Sequence, residues 1–172
     1  EGVTAGIIPG WKERDGMSEN TYDYHLVVLG EPRAQKRMKY ATRGRDGKAL
    51  PFIRNYDPSA GDKQTLHQIV QQHAPPKPLL GPLRVDLFLY FGYRKQDYGS
   101  GRNAGILKPN APQWKDTGKD RDNCDKLILD ALTGVFFVND SQVCAGEIIK
   151  KYAERPRTEI GIRKLNEPGG TK

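Results

Sequence analysis

The stretch from Lys119 to Val143, KDRDNCDKLILDALTGVFFVNDSQV, constrains the fold more than any other. Cys124, Leu127, Ile128, Ala131 and Leu132 recur at spacings of 3, 1, 3 and 1, which is the pattern of one helical face. Asp122 or Asn123 is a suitable N-cap and Gly134 a suitable stop, so the spacing predicts a helix over 122–133. On it Asp122, Lys126 and Asp130 fall four apart on the polar face. Asp120 precedes this helix. In an extended approach, positions i and i+2 point the same way, so Asp120 and Asp122 are expected side by side at the positive end of the helix dipole.

The chain beyond Gly134 bears on the same place. Val135 to Asp140 is β-branched and aromatic and reads as extended. A helix of this length rises roughly 18 Å, and six extended residues span roughly 20 Å. A reversal at Gly134 would therefore bring Asp140 level with Asp120 and Asp122. Three carboxylates in one place are costly unless a divalent cation offsets them, and oxygen-only ligands suit magnesium or manganese rather than zinc. The same residues also fit a plainer arrangement, a helix cap followed by an Asp-Ser turn, and geometry leaves both open. A calcium loop fits less well, because Cys124 and Asp125 stand where an EF-hand needs Asp or Asn and then Gly.

Composition sets the surroundings of this acidic stretch. Lys and Arg number 28 against 21 Asp and Glu, giving a net charge of +7. A basic chain with a concentrated acidic pocket suits an enzyme that holds a polyanion and cuts it, although charge alone does not single out nucleic acid. At 172 residues the chain is long enough for one domain with a real core. Two cysteines, Cys124 and Cys144, are too few for a disulfide framework, and reduced thiols in the cytoplasm are the expectation. No apolar run reaches membrane-spanning length.

The remaining elements follow from local pattern. Residues 1–22 read as a flexible polar arm and 164–172 as a tail, leaving 23–163 as the folded domain. Tyr24 to Leu29 is a short apolar strand. The stretch after Pro32 reads as a basic loop in which Lys36, Arg37 and Lys39 are candidates for phosphate contact. A helix is expected over 61–73, where His67 and His73 lack metal-ligand spacing. Leu83, Val85, Leu87, Leu89 and Phe91 alternate along a strand whose other face, with Phe88 and Tyr90, is partly covered too. Residues 92–119 form a long Gly- and Pro-rich segment, with Arg102, Lys108 and Lys119 as candidate DNA contacts. Residues 142–152 and 158–163 read as two further strands. The fold class is α+β, a mixed or antiparallel sheet with two main flanking helices.

The central stretch resembles the signature of the RusA family of Holliday-junction resolvases: Asp-x-Asp-Asn, a Lys three residues later, Leu-Asp-Ala-Leu, then an acidic pair before Ser/Ala-Gln-Val/Ile. Those positions are Asp120, Asp122, Asn123, Lys126, Leu129 to Leu132, Asp140, Ser141, Gln142 and Val143. Gly30, Pro32, Arg37 and Lys39 keep the family's Gly-x-Pro and alternating basic residues, while Gln35 stands where a lysine is usual. Asn139 replaces the first acid of the pair, and Cys124 replaces an apolar residue. Tyr98 to Ala104 is similar to an insertion in phage-type members. In element order the likeness runs over roughly 24–162.

The resemblance implies that Asp120, Asp122 and Asp140 bind Mg²⁺, with Mn²⁺ able to substitute, and that Lys126 is needed for cleavage. Asn123 is expected to fix the loop by hydrogen bonding, and Asp130 to be a supporting residue paired with Lys126. It further implies a homodimer that nicks four-way DNA junctions symmetrically, in the cytoplasm of a bacterium or of a phage-infected cell. A flap or branched-DNA nuclease and a non-catalytic junction-binding protein are the alternatives.

Overall fold

The computed structural model describes residues 22–43 and 46–165, and for Leu50 and Arg54 the backbone alone. The expected arm and tail lie outside the described residues, apart from Tyr22, Lys164 and Leu165. In chain order the elements are β1 (Tyr24–Leu29), β2 (Lys39–Arg43), β3 (Ala49–Tyr56), α1 (Ala60–Gln71), β4 (Leu83–Gly92), α2 (Arg121–Leu132), β5 (Val143–Ala145), β6 (Ile148–Ala153) and β7 (Arg157–Lys164). This is the α+β architecture expected, a mixed sheet with two helices.

Strand β4 is the axis of the sheet. It pairs antiparallel with β7 on one side and parallel with β5 and then β6 on the other, and β1 closes the far edge against β7. The register aligns Val85 with Ile162 and Leu87 with Ile160, and Ile160 in turn with Leu26. Paired residues share a face, so these side chains form one apolar surface. Cys124, Ile128 and Leu132 of α2 and the buried Val135, Phe136 and Phe137 complete that core. Helix α1 joins α2 through Lys63 to Asp130 (2.7 Å) and His67 Nδ1 to the Ala131 carbonyl (3.2 Å).

The other face of the sheet is polar but covered. Asp86 accepts from Arg84 Nε (2.8 Å), from the Tyr22 hydroxyl (3.0 Å) and from the Glu147 backbone N–H (2.7 Å). Tyr22, assigned above to the arm, is thus anchored to the domain. Beside it Glu159 accepts from Arg157 Nε at 2.6 Å and faces His25 at 3.8 Å, and the Arg157 guanidinium lies over the Tyr90 ring at 3.8 Å. Burial alone would push the Glu159 carboxyl up, but the hydrogen bonds from His25 and Arg157 outweigh it and hold the group below the ordinary glutamate value. A depressed folded-state value means stability that is present above the unfolded value and lost as pH falls through the folded one. Glu159→Gln should therefore cost about 3 kcal/mol at neutral pH. The gap from wild type should narrow below about pH 4. Urea titrations across this range check it, and a pH-independent gap would count against it.

Two expectations need correction here. The strand expected over 142–152 is broken into β5 and β6, because Gly146 and Glu147 leave the ladder where Asp86 captures the Glu147 N–H. The basic stretch expected as a loop contains β2, which pairs with β3 as a separate two-stranded ribbon. No described side chain of either strand is buried, so no apolar alternation announces them.

Candidate active site

Helix α2 begins one residue earlier than its spacing predicts. Asp120 is its N-cap, with extended backbone at φ −67° and ψ 144°, and its carbonyl accepts the first helical bond from Cys124 N–H (3.2 Å). Asp122 therefore lies within the first turn, so the side-by-side argument for an extended pair does not apply to it. The Asp120 side chain does not cap the helix. One of its oxygens takes the Asn123 amide at 3.3 Å. Both carboxylates are exposed at the helix start.

This junction is clamped by neighbouring elements. The Gln35 backbone N–H donates to the Asn123 carbonyl at 2.8 Å, and Lys119 Nζ donates to the Pro32 carbonyl. Lys150 Nζ holds the Lys119 carbonyl at 2.6 Å. Upstream, residues 113–115 run along β6, with Tyr152 N–H to the Gln113 carbonyl (2.9 Å) and Lys115 N–H to the Lys150 carbonyl (3.2 Å). The long 92–119 segment is thus built into the domain. Arg94 pairs with Asp97 at 3.0 Å, and Lys108 Nζ caps the Gln96 carbonyl at 2.8 Å. The Asn123 backbone carbonyl meets the loop at Gln35, and its side-chain amide meets the Asp120 carboxylate.

Asp140 is reached through a turn and not through the extended run expected. Val135 to Val138 is not extended: Gly134, at φ +79°, donates to the Phe137 carbonyl (2.7 Å), and Thr133 bridges Phe137. Phe136 and Phe137 are fully buried, and their burial overrides the β propensity of the run. Asp140 opens a short 3-10 turn, Asp140–Gln142, on a groove of about 570 Å³ between α2 and β5 that Arg121 at the helix start, Asp125 and Leu129 also line. Among the described residues no three His, Cys, Asp or Glu side chains form one ligand group. Asp120 and Asp122 alone are a hard two-oxygen set, which suits a magnesium-like cation that completes its shell with water and phosphate oxygens.

Sequence reasoning passed over Asp125, although Arg121, Asp125 and Leu129 are spaced to share a helix face. Burial first, and the Asp122 charge with it, raise the Asp125 carboxyl above the ordinary range, with Arg121 opposing. Burial likewise pushes the Cys124 thiol up, as befits a packing residue. Asp130 pairs with Lys63 rather than with Lys126, as Lys63 comes from α1 on that side and also holds Asp57 at 3.1 Å. Lys126 is exposed one turn from Asp122. Of the candidate DNA contacts, Lys36, Arg37, Lys39 and Arg102 are exposed, whereas the Lys108 and Lys119 ammonium groups hold backbone carbonyls.

Gln142 explains its own place in the motif. Its amide oxygen accepts from Val138 and Asn139 N–H (2.9 and 3.0 Å), and its NH₂ donates to the Leu79 and Gly81 carbonyls (3.0 and 3.1 Å). One side chain thus pins the Asp140 turn to the segment before β4. Gln142→Ala should cost about 2 kcal/mol and reduce activity by freeing Asp140. Gln142→Glu should recover little, since it lacks the two donors. Chemical denaturation of both variants checks this, and an unchanged midpoint would refute it.

The chain is 32% identical over 146 residues to an uncharacterized protein of Bacillus subtilis (strain 168), YqaN, covering 82% of this chain and 96% of that one. The Endodeoxyribonuclease RusA family matches residues 30–163, from the Gly30-x-Pro32 turn that anchors the junction to the end of the sheet that carries it. With the matched span holding the whole Asp120 to Val143 motif together with both helices and the central strand β4, the chain belongs to the RusA endodeoxyribonuclease family.

Proposed function

We propose that this protein is a structure-selective endonuclease that resolves four-way DNA junctions by divalent-metal-dependent phosphodiester hydrolysis. The observation that carries the reading is the clamped start of α2, which presents Asp120 and Asp122 to solvent within the matched family span. Asp120 and Asp122 would hold Mg²⁺, or Mn²⁺ in its place. Asp140, on the groove that Arg121 also lines, would be the third ligand to the same ion. The chemistry that such an ion supplies when bound is polarisation of a phosphate oxygen and a lowered pKa for water.

The chain's own residues do the rest. Asn123 orients the Asp120 carboxylate through its amide. Lys126, exposed and one turn along, offsets the charge that develops on the scissile phosphate. Lys36, Arg37, Lys39 and Arg102 contact phosphates and place the strand without reading its sequence. Two symmetric nicks call for two such sites related by a two-fold axis, hence a homodimer. No described helix is long and apolar enough to cross a membrane, and the proposed place of action is the cytoplasm.

A synthetic four-way junction, beside matched duplex, flap and single-strand DNA, tests the reading on a denaturing gel with and without Mg²⁺. Paired symmetric nicks confined to the junction and to the metal lanes are expected. Binding without cutting would make the protein a junction-binding one, and equal cutting of every substrate a nuclease of another preference.

A further inference from the structure

The ribbon formed by β2 and β3 pairs only with itself among the described strands. Ten large apolar side chains are exposed among the described residues, and five of them, Met38, Tyr40, Phe52, Ile53 and Tyr56, lie on it or at its root. A surface this rich in apolar groups normally has a partner, and an isolated two-stranded hairpin is marginal in water. The register aligns Tyr40 with Asn55 and Lys39 with Tyr56. Tyr40 and Ile53 therefore share one face, and Phe52 and Tyr56 the other. Tyr40, Phe52 and Ile53 are 68%, 67% and 65% exposed, so neither face is the covered one.

The charge of the same segment says what the partner is. Residues 33–56 carry eight Lys and Arg against one acid, Asp46, so they hold an excess equal to the whole chain's +7. A second copy of so basic a ribbon would be repelled, whereas a polyanion is attracted. The root of the ribbon is tied to the candidate active site. Gln35 N–H donates to the Asn123 carbonyl (2.8 Å), and Lys36 N–H to Ser59 Oγ (2.7 Å) just before α1. On the outgoing side Asp57 is held by Lys63. Whatever the ribbon grips is thereby placed beside Asp120 and Asp122.

We propose that the β2–β3 ribbon is the element that recognises the branch point of DNA. Its lysines and arginines follow the phosphates, and Tyr40 and Phe52 stack on bases that are unstacked where helical arms diverge. A two-stranded ribbon is narrow enough to enter a major groove or to lie between arms. Apolar side chains on both faces gain nothing from a regular duplex, whose base faces are already stacked, but they gain from a branch that exposes them. Charge holds any DNA, and the apolar faces select the branched form. The inference rests on the endonuclease reading and names the part of the chain that chooses its substrate.

The test is binding of the full chain to a four-way junction and to a duplex of matched sequence, in EDTA so that no cleavage intervenes. The comparison is between wild type and the double variant Tyr40→Ala/Phe52→Ala. Junction affinity should fall about 30-fold, in line with the loss of aromatic base stacking, while duplex affinity stays within about twofold because its binding is electrostatic. A 2-aminopurine at the branch point should brighten with wild type and much less with the variant. Equal losses on both DNAs, or no loss on the junction, would overturn the proposal. So would a variant that alone becomes monomeric in sedimentation, which would make the ribbon an oligomerisation arm. Circular dichroism establishes that the variant is folded; if it is not, Tyr40→Phe/Phe52→Tyr, which keeps both aromatic faces, should retain the junction preference. Absence of cleavage by wild type on any DNA would sink the endonuclease reading without touching these binding results, so the two failures are separable.

Discussion

Asp122→Asn is expected to abolish metal-dependent cleavage of a four-way junction, lowering the single-turnover rate by about 10³-fold or more. The substitution keeps the shape of the side chain and removes its charge. Asp122 is exposed in the first turn of α2, so the fold loses only its favourable interaction with the helix dipole, about 0.5 kcal/mol. The chemistry would lose one of the two carboxylates proposed to hold the metal at the helix start. Junction affinity without metal should hold or rise, because a negative charge beside the phosphates is gone. Asp130→Asn is the matched control on the same helix: its carboxylate is engaged by Lys63, and cleavage should persist. Quenched-flow or gel kinetics on the pair, with binding in EDTA, separate the ligand role from a general effect of acidity. Full activity in Asp122→Asn would remove it from the site.

Gly146→Ala is expected to be the most damaging single methyl group in the molecule. Between β5 and β6 the backbone passes so close to β4 that a Cβ at Gly146 would lie 2.0 Å from the Val85 carbonyl oxygen and 3.1 Å from its carbon. These are backbone atoms of the central strand and cannot swing aside. Relief requires β5 and β6 to part from β4, which breaks the Glu147 N–H to Asp86 bond and the Leu87 N–H to Glu147 carbonyl bond (2.8 Å). A cost of at least about 3 kcal/mol follows, toward the upper end for overpacked sites. That corresponds to a fall in melting temperature of roughly 10 °C. Gly61→Ala, with open space at its Cβ, is the contrasting variant and should leave the midpoint near wild type. Thermal unfolding of both settles it, and similar midpoints would show that the close approach relaxes freely.

The effects reach the site by different routes. Asp122, in the proposed role, acts on the reaction directly. Gly146 acts through β6, which carries Lys150, the residue that holds the Lys119 carbonyl beside Asp120. Some loss of activity in Gly146→Ala should therefore accompany its loss of stability, and low temperature should restore both together.

What the sequence by itself determined is local and periodic. The apolar spacing of α2 and the alternation of β4 repeat with the period of the element they form, so both elements were legible. So was the motif running from Asp120 through Lys126 to Gln142, since its residue types sit at set intervals along one stretch. The tertiary structure decided where those intervals lead. Val135 to Val138 has strand-like residues, yet it turns, because burying Phe136 and Phe137 outweighs a preference worth a fraction of that burial, and Asp140 is left in a groove with Asp125. Asp130 finds Lys63 because α1 packs beside α2, a neighbour 67 positions away in number and invisible to spacing. Among its described side chains the β2–β3 ribbon buries none, so nothing in its pattern distinguishes it from a loop until its two strands are paired. Periodicity records which side of an element is buried, whereas the partner that buries it, or the ligand that would, belongs to another part of the chain or to another molecule.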